Sequence, residues 1–296
     1  MTDHRDRAER DQEAILAIRE VLNWCRPHID QARTERGLFQ VMPKSQFAAD
    51  DEDCAPARPS PHVRSALLSA YDSLDLLWEI FCARGDVNVY ISAHYSLIRT
   101  VIEASADAIW LSAESGVENR RLRALGFALR DMSSLRSALN GVPFAPHDEL
   151  RAKIALAETL SEEILQVGER FGFDGRTLKA AAKTPISEIV KASGMDKNSG
   201  LLHWSAWVAC SGFTHSRPWV HLIHGHLDYE DDGGPVIHGM ASADLGATRW
   251  MVEVAVIAVR RAHMECLRAA GAIIPVSLAL SPREGGEVAA RVGDAR

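Results

Sequence analysis

Charged residues recur at helical spacing inside an otherwise apolar stretch, from Val89 to Leu111. Arg99 and Glu103 are one helical turn apart, and Asp107 follows one turn later, so all three fall on one side of a helix. Most of the remaining circumference is apolar, which is typical of a helix that other helices enclose. An enclosed ion needs a partner, because an unpaired buried charge costs several kcal/mol. The pattern therefore predicts either a structural ion pair or the floor of a polar pocket.

Acidic side chains recur inside two other apolar helical runs. Glu79 lies in the run before the central stretch, and Glu253 lies in a C-terminal run, where Arg249 precedes it by one helical turn. Protein cores seldom contain several ionisable groups unless these pair with one another or serve a ligand. The sequence therefore predicts a converging set of ligand-binding residues, which are Asp107, Glu253, Arg249 and Glu79.

A hydroxyl and an imidazole lie at the end of a fourth apolar helix. Ser211 and His215 are one turn apart, so both side chains can face the same side. Such a pair is either half of a nucleophile and base arrangement or a helix-end histidine that a hydroxyl satisfies. We predict that His215 lies within direct or water-bridged contact of Glu103. The candidate catalytic residues are His215, Glu103, Arg99 and Ser211.

Three histidines follow closely, at His221, His224 and His226. They could supply two or three imidazoles to a metal, and zinc sites need three or four convergent ligands. No glutamate in the chain is followed by a histidine three residues later, which is the spacing that helical di-iron proteins use. We therefore predict no cofactor, and we keep the histidine cluster as the metal-binding alternative.

The composition is typical of a globular protein, with 296 residues of which 47% are hydrophobic and 25% charged. The net charge of −7 argues against nucleic acid as a partner, except as the substrate of a ribonuclease. The five cysteines are dispersed without CxxC spacing, which favours reduced thiols. Because no apolar run reaches 18 residues and the N-terminus lacks a signal-peptide pattern, we expect a cytoplasmic protein with no membrane partner.

Helical periodicity predicts an all-α fold, a multi-helix bundle that forms a single domain over residues 12–280. A small extended or β-hairpin excursion is predicted near residues 218–240, where β-prone runs flank turn residues. The helices are predicted at 12–36, 61–84, 89–111, 118–140, 148–171, 176–182, 185–192, 198–214 and 241–272.

Three segments are predicted to lie outside the packed helices. Residues 1–11 and 281–296 are rich in charge, and we expect both to be disordered. Residues 37–60 are predicted to form a long loop or linker. The acidic run from Asp50 to Asp53 is interpreted as a solvated part of that loop.

Two segments together resemble a family of uncharacterised actinobacterial helical proteins. These are HYSLIRTVIEASADAIWL and the run ENRRLRAL that follows it, and the family's later Ser-x-x-x-His is matched by Ser211 and His215. That family is distantly similar to the HEPN-type helical bundles of toxin and abortive-infection systems. HEPN ribonucleases carry an arginine a few residues before a histidine on one helix, whereas here Arg217 follows His215.

The sequence supports three functional hypotheses. The first is an intracellular binding or regulatory module with an interior polar pocket, which the resemblance implies to be defence-related, with a small molecule or a protein as its partner. The second is a HEPN-like metal-independent ribonuclease, in which His215 is the acid–base group and Arg99 or Arg217 contacts phosphate. The third is a small-molecule enzyme or metalloprotein that uses the cluster from His221 to His226. The sequence leaves open whether the chain is an enzyme and whether it forms homo-oligomers.

Overall fold

The computed structural model describes residues 2–34, 37–83, 92–141, 147–230 and 238–279. Helices dominate this part of the chain, and the predicted all-α class is confirmed. The helices are α1 (Thr2–Ala32), α2 (Gln46–Asp53), α3 (Pro59–Phe81), α4 (Ala93–Ser112), α5 (Val117–Asn140), α6 (His147–Arg170), α7 (Gly175–Ala182), α8 (Ile186–Ala192), α9 (Lys197–Thr214), α10 (Pro218–His224), α11 (Leu245–Ala269) and α12 (Val276–Ala279).

The segment predicted as an extended excursion begins with a helix. Residues 218–224 form α10, so this part of the prediction is wrong. Two six-residue strands follow, β1 (Gly225–Glu230) and β2 (His238–Ala243), and their backbones pair antiparallel with Gly225 opposite Ala243. The C-terminal helix consequently starts at Leu245, with Asp244 as its N-cap, instead of at residue 241.

Helix α4 lies at the centre of the larger core. It contacts α3, α11, α9 and α8, and its apolar sides are buried against them. Near its start, the ring of Tyr95 stacks on Phe213 of α9 at a centroid distance of 3.7 Å, and its hydroxyl is 2.9 Å from the Thr248 hydroxyl of α11. The described helix starts at Ala93, and the first residues of the predicted stretch, 89–91, lie outside the described residues.

Helices α5, α6 and α7 form a second, smaller core beside the first. Close packing of α7 depends on glycines of the two longer helices. A Cβ added at Gly126 of α5 would lie 2.7 Å from the Cβ of Ala181, and one at Gly168 of α6 would lie 2.4 Å from a methyl carbon of Leu178. Both distances are shorter than side-chain contacts allow, so α7 can approach only because these positions lack a side chain.

The predicted long loop at residues 37–60 contains a helix, and the interpretation of its acidic run as solvated is wrong. Helix α2 starts after Ser45, whose hydroxyl accepts a hydrogen bond from the Ala48 amide at 3.2 Å. Asp50 is only 2% exposed and binds the Arg120 guanidinium through both oxygens, at 2.8 and 3.1 Å. Arg121 pairs with Asp53 at 2.5 Å. Asp50 can be buried, and Asp53 partly buried, because arginines of α5, about 70 positions later, neutralise them.

The N-terminal end of the chain differs from the prediction. Helix α1 starts at Thr2 and so includes residues 2–11 of the segment that we expected to be disordered. Residues of high helix propensity and an Arg7–Asp11 pair one turn apart, at 3.8 Å, favour this extension. The predicted tail at 281–296 lies outside the described residues.

Candidate functional site

The polar face of α4 meets α9 through a shared carboxylate. We call this face the α4 polar strip, defined as Ser96, Arg99, Thr100, Glu103 and Asp107. One oxygen of Glu103 accepts hydrogen bonds from Arg99, at 3.0 Å from Nε and 2.8 Å from Nη2. The same oxygen accepts the Trp207 indole N–H of α9 at 2.7 Å. The ion pair is therefore held in place from the neighbouring helix.

Arg99 also contacts His215, which is the C-cap residue of α9. The Nη1 atom of Arg99 lies 3.2 Å from Nε2 of His215. A guanidinium only donates hydrogen bonds, so Nε2 is assigned as the acceptor and the proton of a neutral ring lies on Nδ1. His215 is exposed at the rim of the strip. His215 and Glu103 are thus both hydrogen-bonded to Arg99, and no direct hydrogen bond joins them among the described residues; the water-bridged contact stays a prediction.

The Ser211 hydroxyl is used inside its own helix. It donates to the Trp207 carbonyl at 2.7 Å, one turn earlier in α9. His215 accepts from Arg99 and is linked to Ser211 only through the backbone bond from its amide to the Ser211 carbonyl, at 3.0 Å. A hydroxyl that donates to the Trp207 carbonyl stabilises the backbone around Trp207. Ser211 therefore helps to position Trp207, which binds Glu103 of the strip.

The strip continues to α5 through Asp107. Arg130 of α5 donates to Asp107 at 3.2 Å. Burial raises the pKa of the Asp107 carboxyl; the arginine opposes this shift, while the negative charge of Glu103 adds to it. Asp107 and Glu103 are close enough to repel each other, so each depends on its own arginine.

The other predicted ligand-binding residues lie elsewhere. Arg249 pairs with Glu253 along α11 at 2.8 Å. The hydrogen bond that Arg249 donates to Glu253 and the negative charge of Glu253 raise the pKa of Arg249, and the charges of Glu13 and Glu20 of α1 add to this shift. Glu79 of α3 is exposed. The α4 polar strip therefore does not include Arg249, Glu253 or Glu79.

The histidines of the metal-binding alternative face different aromatic rings. His221 packs edge-on against Phe213 at 5.3 Å, and His224 stacks on Trp250 at 6.4 Å. Burial lowers the pKa of His224, and Asp244 opposes that shift. The side chain of His226 lies outside the described part of the chain. Among the side chains that are described, no three histidine, cysteine or acidic residues lie close enough to hold a metal.

Several polar contacts of the site could not be identified from the sequence. Trp207 is partly buried against the larger core, and its indole also donates to Glu103. Arg130 is the partner of Asp107, and it lies 23 positions away on another helix. Helical spacing identifies pairs on one helix, and these contacts join different helices. Covariation between polar positions of α4, α5 and α9 in related sequences is the signal that would identify such contacts.

Comparisons with known proteins found no match to this chain. No protein-family model, no curated protein and no solved structure matches it. A likeness to the actinobacterial family or to HEPN-type bundles stays a prediction from the motifs quoted above. Among the described residues, no helix is long and apolar enough to cross a membrane.

Proposed function

We propose that this protein is a helical binding or regulatory module, and that Arg99 recognises an anionic group of its ligand. The observation that carries the proposal is how the guanidinium is used. Its Nε and Nη2 atoms are engaged by Glu103, which leaves Nη1 directed at the exposed His215. A carboxylate or phosphate oxygen is a stronger acceptor than a neutral imidazole, because the hydrogen bond is then charge-assisted on both sides.

The site is organised before a ligand arrives. The Trp207 indole and the Arg99 guanidinium share one Glu103 oxygen, and the Arg99 guanidinium lies 5.8 Å from the centre of the Trp207 ring. Fixing an arginine in advance reduces the entropy lost on binding, so a single held guanidinium binds more tightly than a mobile one. The incoming anion would replace His215 as the acceptor for Nη1.

The test follows the indole N–H signal of Trp207 in ¹H–¹⁵N spectra, assigned with Trp207→Phe. Sodium acetate and sodium phosphate are added separately at constant ionic strength, which distinguishes a carboxylate ligand from a phosphate ligand. We expect a saturable shift of this signal with one of the two anions at millimolar concentration. An anion bound to Arg99 weakens the hydrogen bond from Arg99 to Glu103, and the Trp207 indole donates to the same Glu103 oxygen.

The matched control is the other Arg-x-x-x-Glu pair of the chain. Arg99→Gln should abolish the shift, and Arg249→Gln should leave it unchanged. The absence of a saturable shift with either anion, or an equal shift in Arg99→Gln, would overturn the proposal.

The second candidate is a metal-independent ribonuclease, which one observation favours. Arg99 and His215 are 116 positions apart, and the fold brings their side chains within hydrogen-bond distance. An arginine beside a histidine is the pair that the HEPN resemblance implies for phosphate contact and acid–base work. In such a reaction His215 takes the proton of a ribose 2′-hydroxyl, whose oxygen attacks the adjacent phosphorus. The P–O5′ bond breaks, the 5′-oxygen takes up a proton from the His215 imidazolium or from water, and a 2′,3′-cyclic phosphate remains.

This candidate is tested by incubating the protein with single-stranded RNA in the presence of EDTA. The activity predicts fragments with 2′,3′-cyclic phosphate ends and loss of cleavage in His215→Asn. His221→Asn serves as the control, because His221 packs on Phe213 and does not contact Arg99. Intact RNA, or equal cleavage by His215→Asn, would exclude His215 as the acid–base group of a ribonuclease.

A further inference from the structure

A cleft of about 570 Å³ lies between α5, α6 and α7. Its volume is within the range of sites that hold small molecules. Leucines 129 and 165 and Ala182 form apolar parts of its wall. The charged residues that line it are Arg130, Arg136, Lys179, Lys183, Glu158 and Glu162. We call it the α5–α7 cleft; it does not include Arg99 or His215.

Three cations of the α5–α7 cleft lack a counter-ion. Arg136, Lys179 and Lys183 form no ion pair within the described part of the chain, although Glu158 and Glu162 line the same cleft. Arg130 differs, because Asp107 already neutralises it. Three positive charges that no ion pair engages therefore face one concave space, where they outnumber the two carboxylates, in a protein whose net charge is −7.

Arg136 adds a polar atom that is buried and unused. Its Nε has no hydrogen-bond partner among the described residues. A buried donor without an acceptor is unfavourable, and the penalty is larger for a charged group. An anion in the cleft would supply the missing acceptor. This observation is independent of the charge count and indicates the same kind of ligand.

We propose that the α5–α7 cleft binds a phosphorylated small molecule. Arg136, Lys179 and Lys183 hold the phosphate, while Glu158 and Glu162 accept hydrogen bonds from hydroxyl or amino groups of the remainder. Lys179 of α7 and Lys183, the C-cap residue of that helix, are one turn apart, so both ammonium groups can reach the same phosphate. The apolar wall beside them suits a ring or an alkyl segment. This proposal concerns a different set of residues from the proposed function and does not rest on it.

A small ligand fits the cleft better than a nucleic acid does. The two carboxylates in the cleft would repel a continuous phosphate backbone, and the acidic remainder of the protein would oppose a long polyanion. A molecule with a single phosphate end places its charge against the cations only. The chemistry thus favours a ligand with an anionic end and an uncharged hydrogen-bonding end.

The proposal is tested by isothermal titration calorimetry of the full chain with inorganic phosphate, pyrophosphate and adenosine 5′-monophosphate. The first two probes report on a free phosphate as ligand, and the third on an organic phosphate. We expect measurable binding of adenosine 5′-monophosphate that weakens about tenfold in Lys179→Gln and in Arg136→Met. Lys179 is exposed, so its substitution should not impair folding.

The matched control is Arg176→Gln. Arg176 lies on α7 one turn before Lys179 and is exposed and unpaired among the described residues. It does not line the α5–α7 cleft, although it lines a neighbouring cleft of about 470 Å³ together with Lys179 and Lys183. Its substitution should leave binding within twofold of the unchanged chain. Absence of binding by all three probes would overturn the proposal. So would an equal loss in Arg176→Gln, or binding of a single-stranded oligonucleotide without binding of adenosine 5′-monophosphate.

Discussion

Two ion pairs with the same sequence spacing have different surroundings in this protein. Arg99–Glu103 on α4 and Arg249–Glu253 on α11 are both Arg-x-x-x-Glu pairs, and both include a contact of 2.8 Å. The side chains of the first pair are 22% and 29% exposed, and those of the second 38% and 35%. Within the described part of the chain, the first pair forms hydrogen bonds to α9 and its C-cap, through Trp207 and His215, whereas the hydrogen bonds of the second pair stay within α11. Spacing therefore predicts that a pair forms, and the packing around it decides whether the pair can act as a site.

A third pair extends the comparison to full burial. Arg120 and Asp50 are only 10% and 3% exposed. Arg120→Ala leaves a buried carboxylate without a counter-ion, and we expect a loss of about 3–5 kcal/mol in the free energy of unfolding. Arg121→Ala, at the adjacent and more exposed pair with Asp53, should cost about 1 kcal/mol. Urea denaturation of both variants measures the difference, and equal losses would contradict the burial argument.

Acid should destabilise the fold through two buried histidines. Burial lowers the pKa of His203 and of His263 to about 4. The unfolded chain, with an ordinary value of about 6.5, binds more protons between those limits, so stability is full above pH 6.5 and falls as the pH drops toward 4. From pH 7 to pH 5 we expect a loss of about 2 kcal/mol for each histidine.

Chemical denaturation of the unchanged chain and of His203→Asn at both pH values checks this pH effect. His203→Asn should reduce the loss between pH 7 and pH 5 by about 2 kcal/mol, which is the contribution of one histidine. A free energy of unfolding that does not change between pH 7 and pH 5 would show that these histidines are not held neutral in the folded chain.

The two Arg-x-x-x-Glu pairs can be compared directly by removing each acid. Glu103→Ala deprives the Arg99 guanidinium and the Trp207 indole of their shared acceptor in a half-buried place, and we expect a loss of about 2–3 kcal/mol. Glu253→Ala breaks an exposed helical pair and should cost less than about 1 kcal/mol. Urea titration measures both losses. If Glu103→Ala lowers the free energy of unfolding no more than Glu253→Ala does, the contacts around the first pair do not contribute to stability.

The smallest expected effect concerns the α5–α7 cleft. Arg136→Met replaces a guanidinium whose Nε lacks a partner by an apolar side chain of similar length. We expect the ligand-free protein to gain about 1 kcal/mol in its free energy of unfolding, because a buried unsatisfied donor disappears. Thermal unfolding measured without phosphate checks this sign. A loss of comparable size would show that Arg136 supports the fold and is not reserved for a ligand.

Much of the helical framework could be predicted because apolar residues recur with the helical period. The central stretch was predicted to end at Leu111, and α4 ends at Ser112; the pair Arg99–Glu103 forms as its spacing indicates. The burial of Asp50 could not be predicted, because it depends on Arg120, 70 positions later. The link from Glu103 to Trp207 spans 104 positions. Periodicity predicts which residues of one helix share a face, and it does not predict which residues of two helices contact each other.

The α5–α7 cleft shows the same limit at a larger scale. Lys179 and Lys183 are surface charges at helical spacing, which is ordinary for an exposed helix. They become part of a concave site only because glycines at 126 and 168 let α7 approach two longer helices. Neither glycine stands near the lysines in the sequence. Such a cleft depends on the distance between α7 and the helices α5 and α6, and that distance cannot be predicted from the composition.

The contact between Arg99 and His215 carries the proposed function, and the ring nitrogens of His215 report on it directly. Long-range ¹H–¹⁵N spectra at alkaline pH, with His215 assigned through His215→Asn, reveal which nitrogen bears the proton. The structure predicts a proton on Nδ1, an unprotonated Nε2 that accepts from Arg99, and a changed Nε2 shift in Arg99→Gln but not in Arg249→Gln. A proton on Nε2, with the same spectrum in Arg99→Gln, would contradict the account.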